Sequence, residues 1–337
     1  MDGLVIKRRP RLKNPYLICA WPGMGDVAFQ AAMHLIQQLK AEEFAEILPH
    51  EFFFLNSSSI QNGVLEAPDL PYSKFFFYKR PSGLNAPDDA LKSNLPADLI
   101  IFVSSGQPDL TKAEEYSRLI IQLAKGFKVK KVIGFAAMPQ PIDYTQSPKV
   151  WYAATSQKIK KELSPYNLIE LKEGQISGMN GLFLGLAKRQ GLEGFCLLGE
   201  IPFYTIQIEN PRASQAILEV LANILNLRLD FMALQKQAEF IEEEISRLMD
   251  YLKIGQQQEG QLPPIGEEEI ERIKKSLSQL TRLPVSIRER IEKLFAQARQ
   301  DLSRAHELKA ELDKWSVYKE YEDRFLDLFK KDKDKNN

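Results

Sequence analysis

Two kinds of hydrophobic pattern divide this chain. Up to about Leu227, short apolar runs alternate with Gly- and Pro-bearing loops; beyond it Gly and Pro nearly vanish outside one linker, and charged residues interleave with Leu and Ile. In the first region, residues 16–21 read as a buried strand, and residues 26–40 as a helix with Val27, Ala28, Ala31, Leu35, Ile36 and Leu39 on its inner side. Residues 44–48, the triplet Phe52-Phe53-Phe54 and residues 75–78 read as further strands. Residues 99–103, 111–125 and 129–135 repeat a strand–helix–strand rhythm, which needs a crossover and makes the two strands parallel neighbours. The pattern predicts one three-layer α/β body over residues 1–228, a mostly parallel mixed sheet covered by helices.

The last third predicts helices of another kind. Phe231, Leu234, Ala238, Ile241, Ile245, Leu248 and Leu252 keep three- and four-residue spacing, a heptad seam. After a linker near residues 253–266 the spacing resumes at Ile270, Ile273, Leu277 and Leu280. A third series follows at Ile287, Ile291, Leu294, Ala298, Ala305, Leu308, Leu312 and Trp315, interrupted by Asp301. Each helix has one apolar stripe and must pair. Residues 229–329 therefore read as a coiled-coil-like arm, whose stripes either pack on one another as a small antiparallel bundle or are shared with another chain. Residues 330–337 are too polar to order themselves and read as a disordered, solvated tail.

Residues 173–225 carry the densest signal. Gly178, Gly181 and Gly185 form a stripe without side chains, along which a helix can press against a sheet, with Gly185 placed for close packing and Gly178 for backbone freedom. Leu182, Phe183, Leu184 and Leu186 leave that helix little polar surface, so it is expected to be nearly engulfed. Residues 195–198 form an apolar run between Gly194 and Gly199, as in a strand buried on both faces, and Glu200 emerges at its end.

The words Gly174-x-Ile176-Ser177-Gly178-Met179-Asn180-Gly181-Leu182 and Leu197-Leu198-Gly199-Glu200-x-Pro202, with a helix after Asn210-Pro211-Arg212-Ala213, resemble the proteasome assembly chaperone 2 family of archaea, bacteria and eukaryotes. The loop Ala20-Trp21-Pro22-Gly23-Met24-Gly25 fits the same pattern, so the resemblance covers roughly residues 1–230. It implies an α/β fold similar to nucleoside phosphorylases and, from its eukaryotic members, a non-catalytic chaperone that helps assemble proteasome α-subunit rings. The expected partners are protein subunits, proteasome subunits among them, together with further copies of the chain. The ending Lys-Asn-Asn departs from the hydrophobic-Tyr-any ending by which some proteasome partners dock, so docking through the tail is not expected.

The residues also allow a second reading, a phosphorylase- or hydrolase-type enzyme acting on a small anionic ligand. Its candidate ligand-binding residues are Gly23, Met24, Gly25, Ser104, Ser105, Gly178, Asn180, Gly181 and Glu200. The Trp21–Asp26 stretch links a strand to a helix, where backbone amides can hold an anion; it is equally a structural turn, with Asp26 as N-cap. Ser104 and Ser105 follow a strand, yet a serine nucleophile needs a base, and the three histidines, His34, His50 and His306, are scattered. Glu200 is the one candidate acid, or else a structural acceptor for the amides of residues 178–181; no catalytic residue is assigned. Asn62-Gly63 and Asn180-Gly181 read as turn or cap chemistry. The Phe triplets place aromatics on both sides of a strand, covered either by helices or by another chain.

Composition narrows the classes further. Lys plus Arg equals Asp plus Glu at 45 each, so no net field draws in nucleic acid or an anionic membrane. Cys19 and Cys196 sit in separate apolar runs and read as buried thiols, too few for a disulfide scaffold. No P-loop motif occurs, and no metal or cofactor is expected. The N-terminus has no signal-peptide core and no stretch suits a membrane span, so a cytoplasmic protein is expected.

Overall fold

The computed structural model describes residues 3–54, 60–61, 64–65, 70–81, 98–257, 291, 294–299, 302–314 and 318–328. The expected Asn62-Gly63 turn, the helix at 270–280, the linker beyond 257 and the tail at 330–337 lie outside the described residues. The chain divides into two compact units, Met1–Arg282 and Leu283–Asn337.

In chain order the first unit contains β1 (Leu4–Ile6), β2 (Tyr16–Ala20), α1 (Val27–Leu39), β3 (Glu42–Ile47), the short hairpin β4 (Ile60–Gln61) and β5 (Val64–Leu65), β6 (Ser73–Lys79) and β7 (Asp98–Ser104). It continues with α2 (Ala113–Gly126), β8 (Lys131–Gln140), β9 (Val150–Ala154), α3 (Gln157–Leu163), β10 (Ile169–Glu170), α4 (Met179–Arg189), β11 (Gly194–Pro202), α5 (Pro211–Leu225) and α6 (Met232–Gln257). Nine strands form one sheet in the order β1-β3-β6-β7-β2-β8-β11-β9-β10. Its centre, β7-β2-β8-β11, is parallel, and every residue of β2, β7 and β11 is buried, as continuous apolar runs between two helical layers require. α2 and α4 pack on one face of the sheet, α1 and α5 on the other, and α6 lies on α5.

Several sequence expectations need correction. Parallel pairing is confined to the centre and to β9-β10; β1, β3, β6 and β7 pair antiparallel in turn, and so do β11 and β9. The chain from β3 through β6 to β7 has no described helical crossover, so it returns on itself. Phe52-Phe53-Phe54 is not a strand: Pro49 opens a short 3-10 turn, the Phe52 amide donates to the Pro49 carbonyl, and Phe52 and Phe53 both turn their rings onto Tyr116, leaving Phe54 exposed. The second triplet does lie in a strand, with Phe75 and Phe77 packed on Phe44.

The glycine stripe is also reassigned. Gly185 faces open space and Leu182 is 40 % exposed, so α4 is not engulfed and Gly185 is not a packing device. Gly181 is the position that permits contact, since a Cβ there would stand 2.1 Å from the Ile176 carbonyl oxygen. The close approaches of helix to sheet occur at strand glycines instead: Gly134 of β8 lies under the Asn180 carbonyl, and Gly199 of β11 under the Ala213 carbonyl at the start of α5. Gly178 does require its freedom, with φ +70°.

The expected heptad positions of α6 that are described, Leu234, Ala238, Ile241 and Ile245, are buried, Ile241 and Ile245 against Ile208 and Tyr144. The helix is tied to the body at its start. His34 of α1 bonds the Asp230 carbonyl at 2.8 Å and stacks on Phe231, Gln38 accepts from the Asp230 amide, and Arg212 forms an ion pair with Glu242. The composition change at residue 228 therefore falls inside a packed unit. In the second unit, residues 291 and 294–299 are helical, followed by α7 (Ala305–Lys314) and α8 (Tyr318–Asp327). Of the expected stripe, Ile291, Ala298, Ala305, Leu308 and Leu312 are buried there, but Leu294 is only half-buried and Phe295, beside it, takes the buried position instead.

Candidate functional site

Three chain segments carrying the sequence signature meet at the carboxyl end of the parallel strands. β2 ends at Ala20, and the chain turns through Trp21-Pro22-Gly23 into a 3-10 turn at Met24–Asp26 before α1. The turn uses left-handed backbone at Gly25 (φ +57°) and Asp26 (φ +48°). Trp21 lies one residue past the sheet ladder, and Asn180 at the start of α4 supplies what the ladder no longer does. The Trp21 amide donates to Asn180 Oδ1 at 2.9 Å, and Asn180 Nδ2 donates to the Trp21 carbonyl at 2.9 Å. Gln107, buried after β7, completes the clamp, donating to the Pro22 carbonyl at 2.6 Å and accepting from the Met179 amide at 3.0 Å. The sequence motifs at 20–25, 104–107 and 178–181 are thus one interlocked cluster.

Its polar groups are spent on the fold. The Gly25 amide donates to Ile206 O, the Asp26 amide to Gly23 O and the Val27 amide to Met24 O, so amides that an anion at this helix start would need are committed. Asp26 occupies the N-cap position of α1, but its left-handed backbone makes no side-chain cap bond there. Ser104 is fully buried, donates to the Gly106 carbonyl at 2.7 Å and accepts from Ser73, whose hydroxyl also meets the Tyr116 hydroxyl at 2.5 Å. Burial pushes the Tyr116 phenol up to about 12, with the hydroxyls of Ser104 and Ser73 offsetting part of the shift. Ser105 exchanges bonds with the Tyr72 backbone. Neither serine has a histidine beside it: His34 serves the start of α6, while His50 and His306 are exposed.

Glu200 is buried on β11 and both its oxygens are engaged, accepting from the Lys149 amide at 3.0 Å and from Trp151 Nε1 at 2.8 Å. It is a structural acceptor, but for the strand neighbours of β9 and not for residues 178–181. The partners of residues 178–181 are Trp21 and Gln107, at the ends of β2 and β7, two and three strands away from β11. The cleft beside Glu200, between residues 142–148, the start of α5 and α6, encloses about 20 Å³. That is room for a water, far below the ~300 Å³ and upward of a substrate pocket. The signal for Gln107 in the sequence is a lone Gln in Gly106-Gln107-Pro108 just past a buried strand. Cys19 and Cys196, on opposite sides of Gly134, have thiols pushed up by burial, Cys196 to about 12.

This is a mixed α/β protein whose signature residues lock strand ends to one another through buried side-chain amides, with the candidate acid and hydroxyls bonded internally. The chain belongs to the PAC2 family, which it matches over residues 17–249. It is similar to Pyrococcus furiosus PbaB, an archaeal proteasome activator, at 30 % identity over 74 % of this chain and 100 % of that one, with a TM-score of 0.59. It also resembles P. furiosus PbaA, an archaeal homolog of proteasome-assembly chaperone, at 27 % identity over 76 % of this chain and 99 % of that one, with a TM-score of 0.54. An uncharacterized protein of Methanocaldococcus jannaschii is 29 % identical over 71 % of this chain and 85 % of its own length. Among the described residues no helix is long and apolar enough to cross a membrane.

Proposed function

We propose that the protein is a non-catalytic chaperone or adaptor that binds proteasome subunits through its α/β body, working in the cytoplasm as a homo-oligomer. The observation that carries this reading is the match along the whole length of PbaB at 30 % identity. The internal use of Ser104, Glu200 and the loop amides agrees with it, because a reaction centre needs polar groups held ready for a substrate. The nucleoside phosphorylase resemblance then concerns architecture alone. The apolar stripes of residues 229–329 would serve oligomerisation or partner reach.

Binding to archaeal proteasome core particles tests this directly. The purified full-length chain is mixed with core particles and followed by native mass spectrometry and by peptide hydrolysis. A discrete complex, or a reproducible change in hydrolysis or in the yield of assembled rings, is the expected result. No complex with either assembled particles or free α-subunits would overturn the proposal.

A further inference from the structure

The pairing of β2 with β8 also joins two loops at the opposite end of the sheet from the Trp21 cluster. Tyr16 lies in register with Lys131, and the Lys130 amide donates to the Pro15 carbonyl at 2.9 Å, so the residues leading into β2 run beside those leading into β8. The Arg9 guanidinium crosses between them, 5.7 Å from the centre of the Phe127 ring. Arg9, Arg11, Lys13, Lys125, Lys128 and Lys130 are all exposed. None of the six forms an ion pair among the described residues. The acids at this end are engaged elsewhere: Asp98 is buried and accepts from the Lys13 and Arg80 amides, Glu162 pairs with Lys131, and Glu193 with Lys158. In a chain whose 45 cations balance its 45 anions, this is a local, unneutralised excess.

We propose that this face receives an acidic segment of a partner protein, a proposal that rests on the protein-binding function above and names where and by what chemistry the partner docks. Opposite charge would steer the encounter and fix its register. A long polyanion fits the face poorly. Residues 9–13 span at most about 17 Å when fully extended. The excess then ends at the neighbouring strands, where Lys7, Arg8 and Lys74 are already paired with Glu42, Glu43 and Glu46. The rings available, Phe127 and Tyr16, are capped by Arg9 and Lys131, which leaves no platform for stacking bases.

The full-length chain is titrated into a labelled oligoglutamate peptide, a single-stranded oligodeoxynucleotide and its duplex, at low and at physiological salt. Oligoglutamate is expected to bind in low salt and to weaken as salt screens the charges. The combined variant Lys13→Glu, Lys128→Glu and Lys130→Glu is expected to lose on the order of ten-fold in peptide affinity, with no loss in Lys236→Glu, an exposed cation on α6. Unchanged peptide binding by the combined variant overturns the proposal, as does nucleic acid binding as tightly as peptide. If the combined variant melts below the parent, Lys13→Gln with Lys130→Gln replaces it, and unchanged binding there counts equally against the proposal. Core-particle binding by the same variants keeps the two readings apart. A parent chain that takes oligoglutamate and ignores core particles sinks the proposed function alone, whereas core-particle binding that survives charge reversal sinks this placement of the partner.

Discussion

Replacing Asn180 with Ala should destabilise the protein strongly. The side chain is buried and supplies both an acceptor and a donor to Trp21, which is 1 % exposed and one residue beyond the β2 ladder. Truncation leaves one amide and one carbonyl without partners in a site closed to water. At about 1–3 kcal/mol for each stranded group, the expected loss is about 2–6 kcal/mol. For a unit spanning Met1–Arg282, a loss near 3 kcal/mol lowers Tm by roughly 5 °C. Asn180→Asp preserves the acceptor for the Trp21 amide but sets a second oxygen against the Trp21 carbonyl, so it should not rescue. Leu182→Gln, in the same helix and 40 % exposed, serves as the control and should cost less than ~1 kcal/mol. Urea unfolding followed by circular dichroism and tryptophan fluorescence measures all three. An Asn180→Ala chain within ~0.5 kcal/mol of the parent would refute the clamp, and with it the view that the signature residues are structural.

The other expectations are briefer. Gly181→Ala should cost several kcal/mol, since its Cβ would stand 2.1 Å from the Ile176 carbonyl oxygen, while Gly185→Ala, in open space on the same helix, should stabilise by about 0.5–1 kcal/mol; equal melting temperatures for the two variants would show that the close approach at Gly181 is unimportant. Glu200→Gln should lower stability by about 1–3 kcal/mol, because an amide NH₂ would face the Lys149 amide or Trp151 Nε1, and should leave core-particle binding per folded molecule unchanged. Cys19 and Cys196 should resist thiol reagents in the native state and react only on unfolding, and a native chain labelled within minutes at mild pH would contradict their burial. The raised pKa of Tyr116 contributes stability that is whole below pH ~10 and falls as pH rises from there toward 12, so Tyr116→Phe should flatten the alkaline limb of the stability curve. A chain ending at residue 228 should lose its cooperative melt, since it uncovers the surfaces that Leu234, Ile241 and Ile245 cover, whereas a chain ending at 257 should keep it.

What the sequence determined by itself is the set of elements whose burial is periodic or unbroken. The runs around β2, β7, β8 and β11 can be satisfied only between two layers, and the stripe of α1 needs a face to cover, so the three-layer body was legible. The Gly178-Met179-Asn180-Gly181 and Leu198-Gly199-Glu200 motifs marked the family. Direction and partnership were decided by tertiary structure. Phe52-Phe53-Phe54 has the composition of a strand, but Pro49 starts a turn and Tyr116 gives both buried rings a seat. Gly185 has the spacing of a packing glycine and faces open space, because the close approach is made on the strands, at Gly134 and Gly199. Short strands such as β9 and β10 carry too few residues for a period to show, and they gain their place by pairing with β11. Glu200 had the setting of an acid at a strand end; which donors would reach its oxygens depended on Lys149 and Trp151, about fifty positions away, which only the sheet brings to it. The cationic face is of the same kind, two ordinary charged loops made one surface by the register of β2 on β8.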